Sequence, residues 1–188
     1  MRTSPGSGLR AICSRFVIEP GTHRFGPGNA TLSVQTRRGG AAAKAGHDLL
    51  LHVTAWAGTL TIGEDGAPAA AELTADATSL RVQRGTGGMK ALGDEDKANI
   101  HQTIDDEVLQ RRDIAFRSTS VDGGWADGEL TLGDRTRPLS LALTVADDGT
   151  VNGRATVKQS DWGMKPYSAL FGTLKVLDEV EVSLEGHL

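Results

Sequence analysis

The chain has 188 residues, a net charge of −4 and a single cysteine, Cys13. One cysteine excludes an internal disulfide framework and a zinc or iron–sulfur centre held by cysteines. The acidic balance gives no electrostatic footprint for nucleic acid. Because 38% of the residues are hydrophobic and 23% are charged, the composition is typical of a globular protein of one domain.

Glycine is the most unusual part of the composition. The 24 glycines are nearly twice the usual share of about 7%. They separate short apolar runs, where the turns of a β-protein need residues that tolerate positive φ. This distribution favours an all-β fold.

Residues 1–20 are predicted to form a disordered leader. They contain Arg2, Arg10 and Arg15 but no continuous apolar stretch. A secretory signal needs about 7–15 apolar residues and a membrane span needs about 20, and the sequence contains neither. We therefore expect a cytoplasmic protein. A transient contact of the basic leader with a membrane is left as an alternative.

The rest of the chain, residues 21–188, has the turn spacing of a β-barrel or β-sandwich, about 8–12 residues. Its apolar runs alternate with polar residues, as strands with one buried face do. Segment 37–46 is predicted to be a basic loop, and segment 160–171 is irregular and rich in aromatic residues. The predicted strands are 30–36, 49–56, 58–62, 71–82 with a break near Ala77, 114–121, 124–132, 137–145, 151–158 and 175–188.

A helix is predicted between these strands, because Ile100, Ile104 and Val108 recur every four residues. Asp94 is the predicted N-cap, and the helix should run for about 14–16 residues. His101 should lie at the rim of the apolar face, in solvent. Asp105 and its acidic neighbours should form a solvated face.

Four segments carry a resemblance to a known family. They are the helix-to-strand passage 104–121, the hairpin 128–141, the segment 155–163 ending in Ser160-Asp161-Trp162-Gly163, and the final strand 177–182. In this order they resemble the YceI-like, polyisoprenoid-binding family of lipocalin-like barrels, over roughly residues 21–188. Arg112-Asp113 stands where that family usually has tyrosine–proline. Exported members have a signal peptide, which this sequence lacks.

The resemblance implies an all-β fold, namely an antiparallel eight-stranded lipocalin-like β-barrel with one amphipathic α-helix. It also implies non-enzymatic binding, storage or transport of an isoprenoid or other long-chain lipid in an apolar pore, with no cofactor. Burial of such a chain gains about 0.8 kcal/mol per methylene, so about ten units suffice for micromolar binding after the cost of association. A homodimer stays open.

Ligand-binding residues are predicted from the alternating apolar faces and from the aromatic segment. A barrel core filled by side chains has the same pattern, so a filled interaction module is an alternative. Trp162, Tyr167 and Phe171 would form a mouth over the lipid head group, or else a hydrophobic plug. The predicted pore wall consists of Leu32, Val34, Leu51, Val53, Ile114, Phe116, Leu139, Leu141, Leu143, Val180 and Val182.

A second alternative is a metal-binding or hydrolytic barrel built on His47, Asp48 and His52. Two histidines five residues apart on one strand point to opposite faces. They converge only if His47 lies in the turn before the strand, so surface or head-group contact is preferred to a metal site. A supporting role near an anionic head group is left open for Arg37, Arg38, Arg84 and Lys90.

Overall fold

Antiparallel strands dominate the computed structural model of the chain, which describes residues 18–188. Most of the predicted leader, together with Cys13, lies outside the described residues. Eleven strands form one sheet, in the order β1-β5-β6-β8-β9-β10-β11-β14-β2-β4-β7, and a small sheet has the order β12-β13-β3. The strands are β1 (Gly21–Phe25), β2 (Ala30–Thr36), β3 (Arg38–Gly39), β4 (His47–Val53), β5 (Trp56–Ile62), β6 (Pro68–Ala75), β7 (Leu80–Gly87), β8 (Ile114–Asp122), β9 (Trp125–Leu132), β10 (Arg135–Val145), β11 (Thr150–Lys158), β12 (Ser168–Ala169), β13 (Leu174–Val176) and β14 (Glu179–His187).

Three pairs of these strands are the two halves of a longer, bent strand. Only two residues separate β4 from β5, and short connections join β1 to β2 and β6 to β7. The Thr54 N–H donates to the Ser79 carbonyl at 3.0 Å and the Asp76 N–H donates to the Ala55 carbonyl at 2.9 Å, which carries the hydrogen-bond ladder across the bend. Counted as bent strands, the large sheet has the eight positions of a lipocalin-like barrel.

The predicted all-β, lipocalin-like fold with one helix is confirmed, but the number of strands is larger than predicted. The break predicted near Ala77 in segment 71–82 is confirmed, because a 3₁₀ turn at Ala77–Ser79 divides the segment. The short strand β3 lies in the predicted loop 37–46, and β12 lies in the irregular segment 160–171. Such short strands escape detection because two residues show no period.

The helix α1 (Asp94–Thr103) continues directly into a π-helical turn at Ile104–Val108, so its extent agrees with the prediction. The predicted N-cap is wrong, because Gly93 holds that position and Asp94 is already helical. The Gly93 N–H donates to the Asp96 carboxylate at 2.9 Å. A side chain of the first turn thus satisfies a backbone N–H group at the N-terminus of the helix.

Apolar side chains pack in two clusters on the inner face of the large sheet. The larger cluster surrounds Leu51 and Val151. Ile104 of the helix and Leu109, the residue after it, pack against this cluster. The smaller cluster contains Phe116 and Trp162. In the part of the chain that the structure describes, no helix is both long and apolar enough to cross a bilayer.

Candidate binding site

An apolar cavity of about 260 Å³ lies inside the curled sheet. Because alternate side chains of a strand point to the same face, nearly every strand of the barrel contributes to its wall. The interior is therefore not filled by side chains. That the wall contacts a lipid stays a prediction. All eleven predicted wall residues line the cavity, namely Leu32, Val34, Leu51, Val53, Ile114, Phe116, Leu139, Leu141, Leu143, Val180 and Val182.

The prediction missed other parts of the wall. Leu60 and Leu130 belong to predicted strands whose alternation would have identified them. Ile104 and Val108 come from the helix, which lies across one end of the barrel. Their four-residue spacing was visible, but only the tertiary structure shows which strands they face.

A second, more polar cavity of about 450 Å³ adjoins the first, and we call it the vestibule. Its walls come from helix α1, the small sheet, the start of β4 and the loop before the helix. Four residues line both cavities, so the vestibule leads into the apolar interior. These shared residues, the neck, are Thr36, Ile104, Val108 and Gln159. The polar vestibule residues are Arg38, His47, Lys90, Asp96, Asn99, Thr103, Tyr167 and Lys175.

Two polar side chains lie at the neck. The Oγ1 atom of Thr36 is buried and has no hydrogen-bond partner within residues 18–188. Gln159 is only 6% exposed, and its Nε2 donates to the Leu177 carbonyl at 3.0 Å. Because buried polar groups are nearly always paired, the Thr36 hydroxyl is a site where a ligand's polar group would gain a hydrogen bond.

Asp178 holds the turn at Gln159–Trp162 in place. The Ser160 N–H donates to the Asp178 carboxylate at 2.8 Å, the Ser160 hydroxyl donates to its other oxygen, and the Gln159 N–H donates to the Asp178 carbonyl. Burial acts to raise the pKa of Asp178, but the two hydrogen bonds from Ser160 and the nearby charge of Lys158 outweigh it and lower the pKa. Gln159 is thereby fixed at the neck.

The structure separates the three aromatic residues that were predicted to form one mouth. Tyr167 lines the vestibule. Trp162 is 3% exposed, lines neither cavity and packs in the core, so its predicted contact with a head group is wrong. An indole ring can be buried when its N–H finds an acceptor, and here the Trp162 N–H donates to the Leu130 carbonyl. Phe171 lies outside both cavity walls and is fully exposed.

His47, Asp48 and His52 do not converge. His47 lines the vestibule with its Nε2 2.8 Å from the Lys90 carbonyl. The Asp48 carboxylate accepts from the Arg38 N–H at 2.8 Å. His52 lies on the opposite face of β4 from His47. Within residues 18–188, no group of three or more His, Cys, Asp or Glu side chains is placed to hold a metal ion.

His101 and Asp105 attach the helix to the barrel, so their predicted exposure to solvent is wrong. The Nε2 of His101 lies 3.3 Å from the Asp105 carboxylate and 3.1 Å from the Thr78 carbonyl, and it also contacts Arg81. Asp105 is 8% exposed. The helix lies with this side against the β6–β7 bend, which its four-residue period could not reveal.

Comparisons with known proteins agree with this architecture. The family model described as a YceI-like domain matches residues 29–188. The crystal structure of BcnA from Burkholderia cenocepacia is similar, with a TM-score of 0.58 and 15% sequence identity, over 83% of this chain and 94% of that chain. At this identity the likeness shows the fold alone. A search of the curated proteins gave no significant match.

Proposed function

The chain belongs to the YceI-like family, which is known as polyisoprenoid-binding, and from this premise we propose that it binds an isoprenoid or similar long-chain lipid. The lipid tail occupies the apolar cavity, and the head group lies at the neck and in the vestibule. The protein stores or transports the lipid and does not transform it.

The observation that carries this proposal is the apolar cavity and its connection to the vestibule. A cavity lined by aliphatic and aromatic side chains holds water poorly and takes up apolar ligands. Each buried methylene of the ligand gains about 0.8 kcal/mol. A slender hydrocarbon chain suits a barrel of this size better than a bulky ring system, because an eight-stranded barrel has a narrow interior.

The polar neck supports the placement of the head group. A ligand hydroxyl or carbonyl beside Thr36 would pair with its buried hydroxyl, which has no hydrogen-bond partner among the described residues. Gln159 and Tyr167 are further hydrogen-bonding groups on the path outward. The tail of one lipid would thus contact the apolar cavity, and its head group would contact the polar neck and vestibule. This arrangement needs no catalytic group.

The direct test is to identify lipid in the purified protein. We expect solvent extraction and mass spectrometry to find a long-chain lipid, and the emptied protein to bind added polyprenol or polyprenyl quinone in a one-to-one ratio by native mass spectrometry. A protein that carries no lipid and binds neither these probes nor a long-chain fatty acid would overturn the proposal. A cytoplasmic location and a homodimer stay predictions.

A further inference from the structure

The mouth of the vestibule is built from three chain segments with an unusual charge. Segments 37–46, 84–92 and 162–177 each contribute residues to its wall. Together they contain seven lysines and arginines and no aspartate or glutamate, in a chain whose net charge is −4. The vestibule wall itself carries Arg38, Lys90 and Lys175 against one carboxylate, Asp96, so its charge is opposite in sign to that of the whole chain.

Exposed apolar side chains lie on the same rim. Leu170 and Phe171 occupy the turn between β12 and β13, and β13 lines the vestibule. Phe171 is fully exposed and Leu170 is 57% exposed. On another segment of the mouth, Met89 is 86% exposed beside Lys90, which lines the vestibule. Adjacent large apolar side chains exposed beside a pocket, such as Leu170 and Phe171, are typical of an interaction surface, whereas a single exposed one is not.

Two of these residues have a left-handed backbone conformation, which residues other than glycine rarely adopt. Leu170 has a φ of 50° and Phe171 a φ of 55°. The turn is fixed by Thr173, whose hydroxyl donates to the Leu170 carbonyl at 2.7 Å. Strained backbone of this kind is enriched at functional sites, although Gln110 and Arg111 adopt it in this chain as well. Here it keeps an aromatic ring in water instead of against the barrel.

We propose that the mouth docks on an anionic lipid bilayer. Phe171, Leu170 and Met89 enter the boundary between head groups and acyl chains, where aromatic and aliphatic side chains are favourable. Lys44, Lys90 and Lys175 contact the anionic head groups, since cations near such a surface add binding energy. This goes beyond lipid binding, because it assigns the membrane as the partner from which a lipid enters the cavity.

The acidic groups beside the mouth do not remove this complementarity. Glu181 lies 3.0 Å from Arg37 and Asp48 lies 4.0 Å from Arg38, so the positive charge available to a membrane comes from the lysines and not from these two arginines.

The first turn of α1 carries three carboxylates. Asp96 accepts from the Gly93 N–H, and Asp94 lies 4.0 Å from the Lys97 ammonium. These carboxylates lie on the α1 side of the vestibule, whereas Lys90 and Lys175 line other parts of its wall.

Vesicle flotation tests the proposal on the full chain. We expect binding to vesicles of phosphatidylcholine with phosphatidylglycerol, weaker binding to phosphatidylcholine alone, and a decrease with salt. Leu170→Ser/Phe171→Ser should weaken binding to the mixed vesicles at least about tenfold. Lys90→Gln/Lys175→Gln should weaken it roughly tenfold or more on mixed vesicles only.

The matched control is Trp125→Ser. Trp125 is 54% exposed, but it lies at the β8–β9 turn. The helix and the vestibule lie at the other end of β9, where Leu132 pairs with Ile114. Its substitution should leave vesicle binding unchanged. Equal binding of the wild type and the Leu170→Ser/Phe171→Ser variant would overturn the proposal. So would a self-associated wild type that binds no vesicles and that the same variant converts to monomer by sedimentation.

Lipid binding in solution separates this proposal from the previous one. The Leu170→Ser/Phe171→Ser variant should still bind polyprenol in a one-to-one ratio, because neither residue lines the cavity. Vesicle binding without lipid uptake would contradict the cavity proposal and leave the docking surface intact.

Discussion

The indole Nε1 of Trp162 donates a 2.9 Å hydrogen bond to the backbone carbonyl of Leu130, across the interior of the protein. Leu130 lies on β9, whereas Trp162 ends the turn that carries Gln159. The bond therefore joins the wall of the apolar cavity to the neck of the vestibule. Trp162 is a structural residue of the site and does not contact its opening.

Trp162→Phe tests that structural role. The variant keeps an aromatic ring but removes the indole N–H donor and leaves a smaller side chain in the core, so we expect the free energy of unfolding to fall by about 1–3 kcal/mol. Urea denaturation measures it. A variant as stable as the wild type would show that this hydrogen bond contributes nothing net.

Ala155→Phe tests whether the cavity holds the lipid. Ala155 lines the cavity on β11, directly opposite Val182 on β14. A phenyl ring there would occupy the space of the lipid tail, and we expect affinity for polyprenol to fall at least about tenfold, equivalent to about 1.4 kcal/mol. Isothermal titration or native mass spectrometry of the emptied protein measures this.

Thr156→Phe is the control for that variant. Thr156 is the next residue of the same strand and is exposed on its outer face, so the same ring should leave polyprenol affinity unchanged. If Thr156→Phe reduced affinity as much as Ala155→Phe, the loss would come from the strand and not from the cavity.

Gly128→Ala should destabilise the protein without touching the vestibule. A Cβ at Gly128 would overlap the Arg117 carbonyl oxygen and lie 2.7 Å from the Phe116 ring. Because backbone has to move, we expect a loss of about 1–3 kcal/mol in thermal or urea unfolding. Gly28→Ala is the matched control, since a Cβ there meets nothing within 4 Å, and its effect should stay within about 0.5 kcal/mol.

Asp178→Asn should change how stability depends on pH. The pKa of Asp178 is lowered in the folded protein, where the hydrogen bonds from Ser160 and the charge of Lys158 outweigh the effect of burial. A lowered folded-state pKa stabilises the protein above the unfolded value, about 3.9, and this stabilisation disappears as the pH falls through the folded value. We expect Asp178→Asn to lower the midpoint of unfolding at pH 7, and the difference from the wild type to shrink below about pH 4. A difference that is constant from pH 7 to pH 3 would contradict this.

The inner wall of the barrel could be predicted because strand periodicity is a local property. Every second residue of a strand shares a face, so the alternation of Leu139, Leu141 and Leu143 is enough to place all three inside. The same reasoning located the helix from the four-residue spacing of Ile100, Ile104 and Val108. Neither inference needed any contact between distant segments.

The strand count and the role of Trp162 could not be predicted in this way. The continuation of β4 into β5 as one bent strand depends on hydrogen bonds from Thr54 to Ser79 and from Asp76 to Ala55, which join distant parts of the chain. An aromatic residue in an irregular segment packs inside or outside according to what lies opposite, and for Trp162 that is Leu130, from a different part of the chain. His101 was misjudged for the same reason, since Thr78 and Arg81 surround it from the β6–β7 bend.

The sequence by itself thus determined an all-β barrel with one helix and the apolar identity of its inner face, because both follow from periods of two and of about four residues along the chain. Only the tertiary structure decided that the interior contains a cavity, that Thr36 and Gln159 form its neck, and that three distant basic segments surround one mouth. These features depend on which residues the closed sheet brings together. Local periodicity carries no information about such distances.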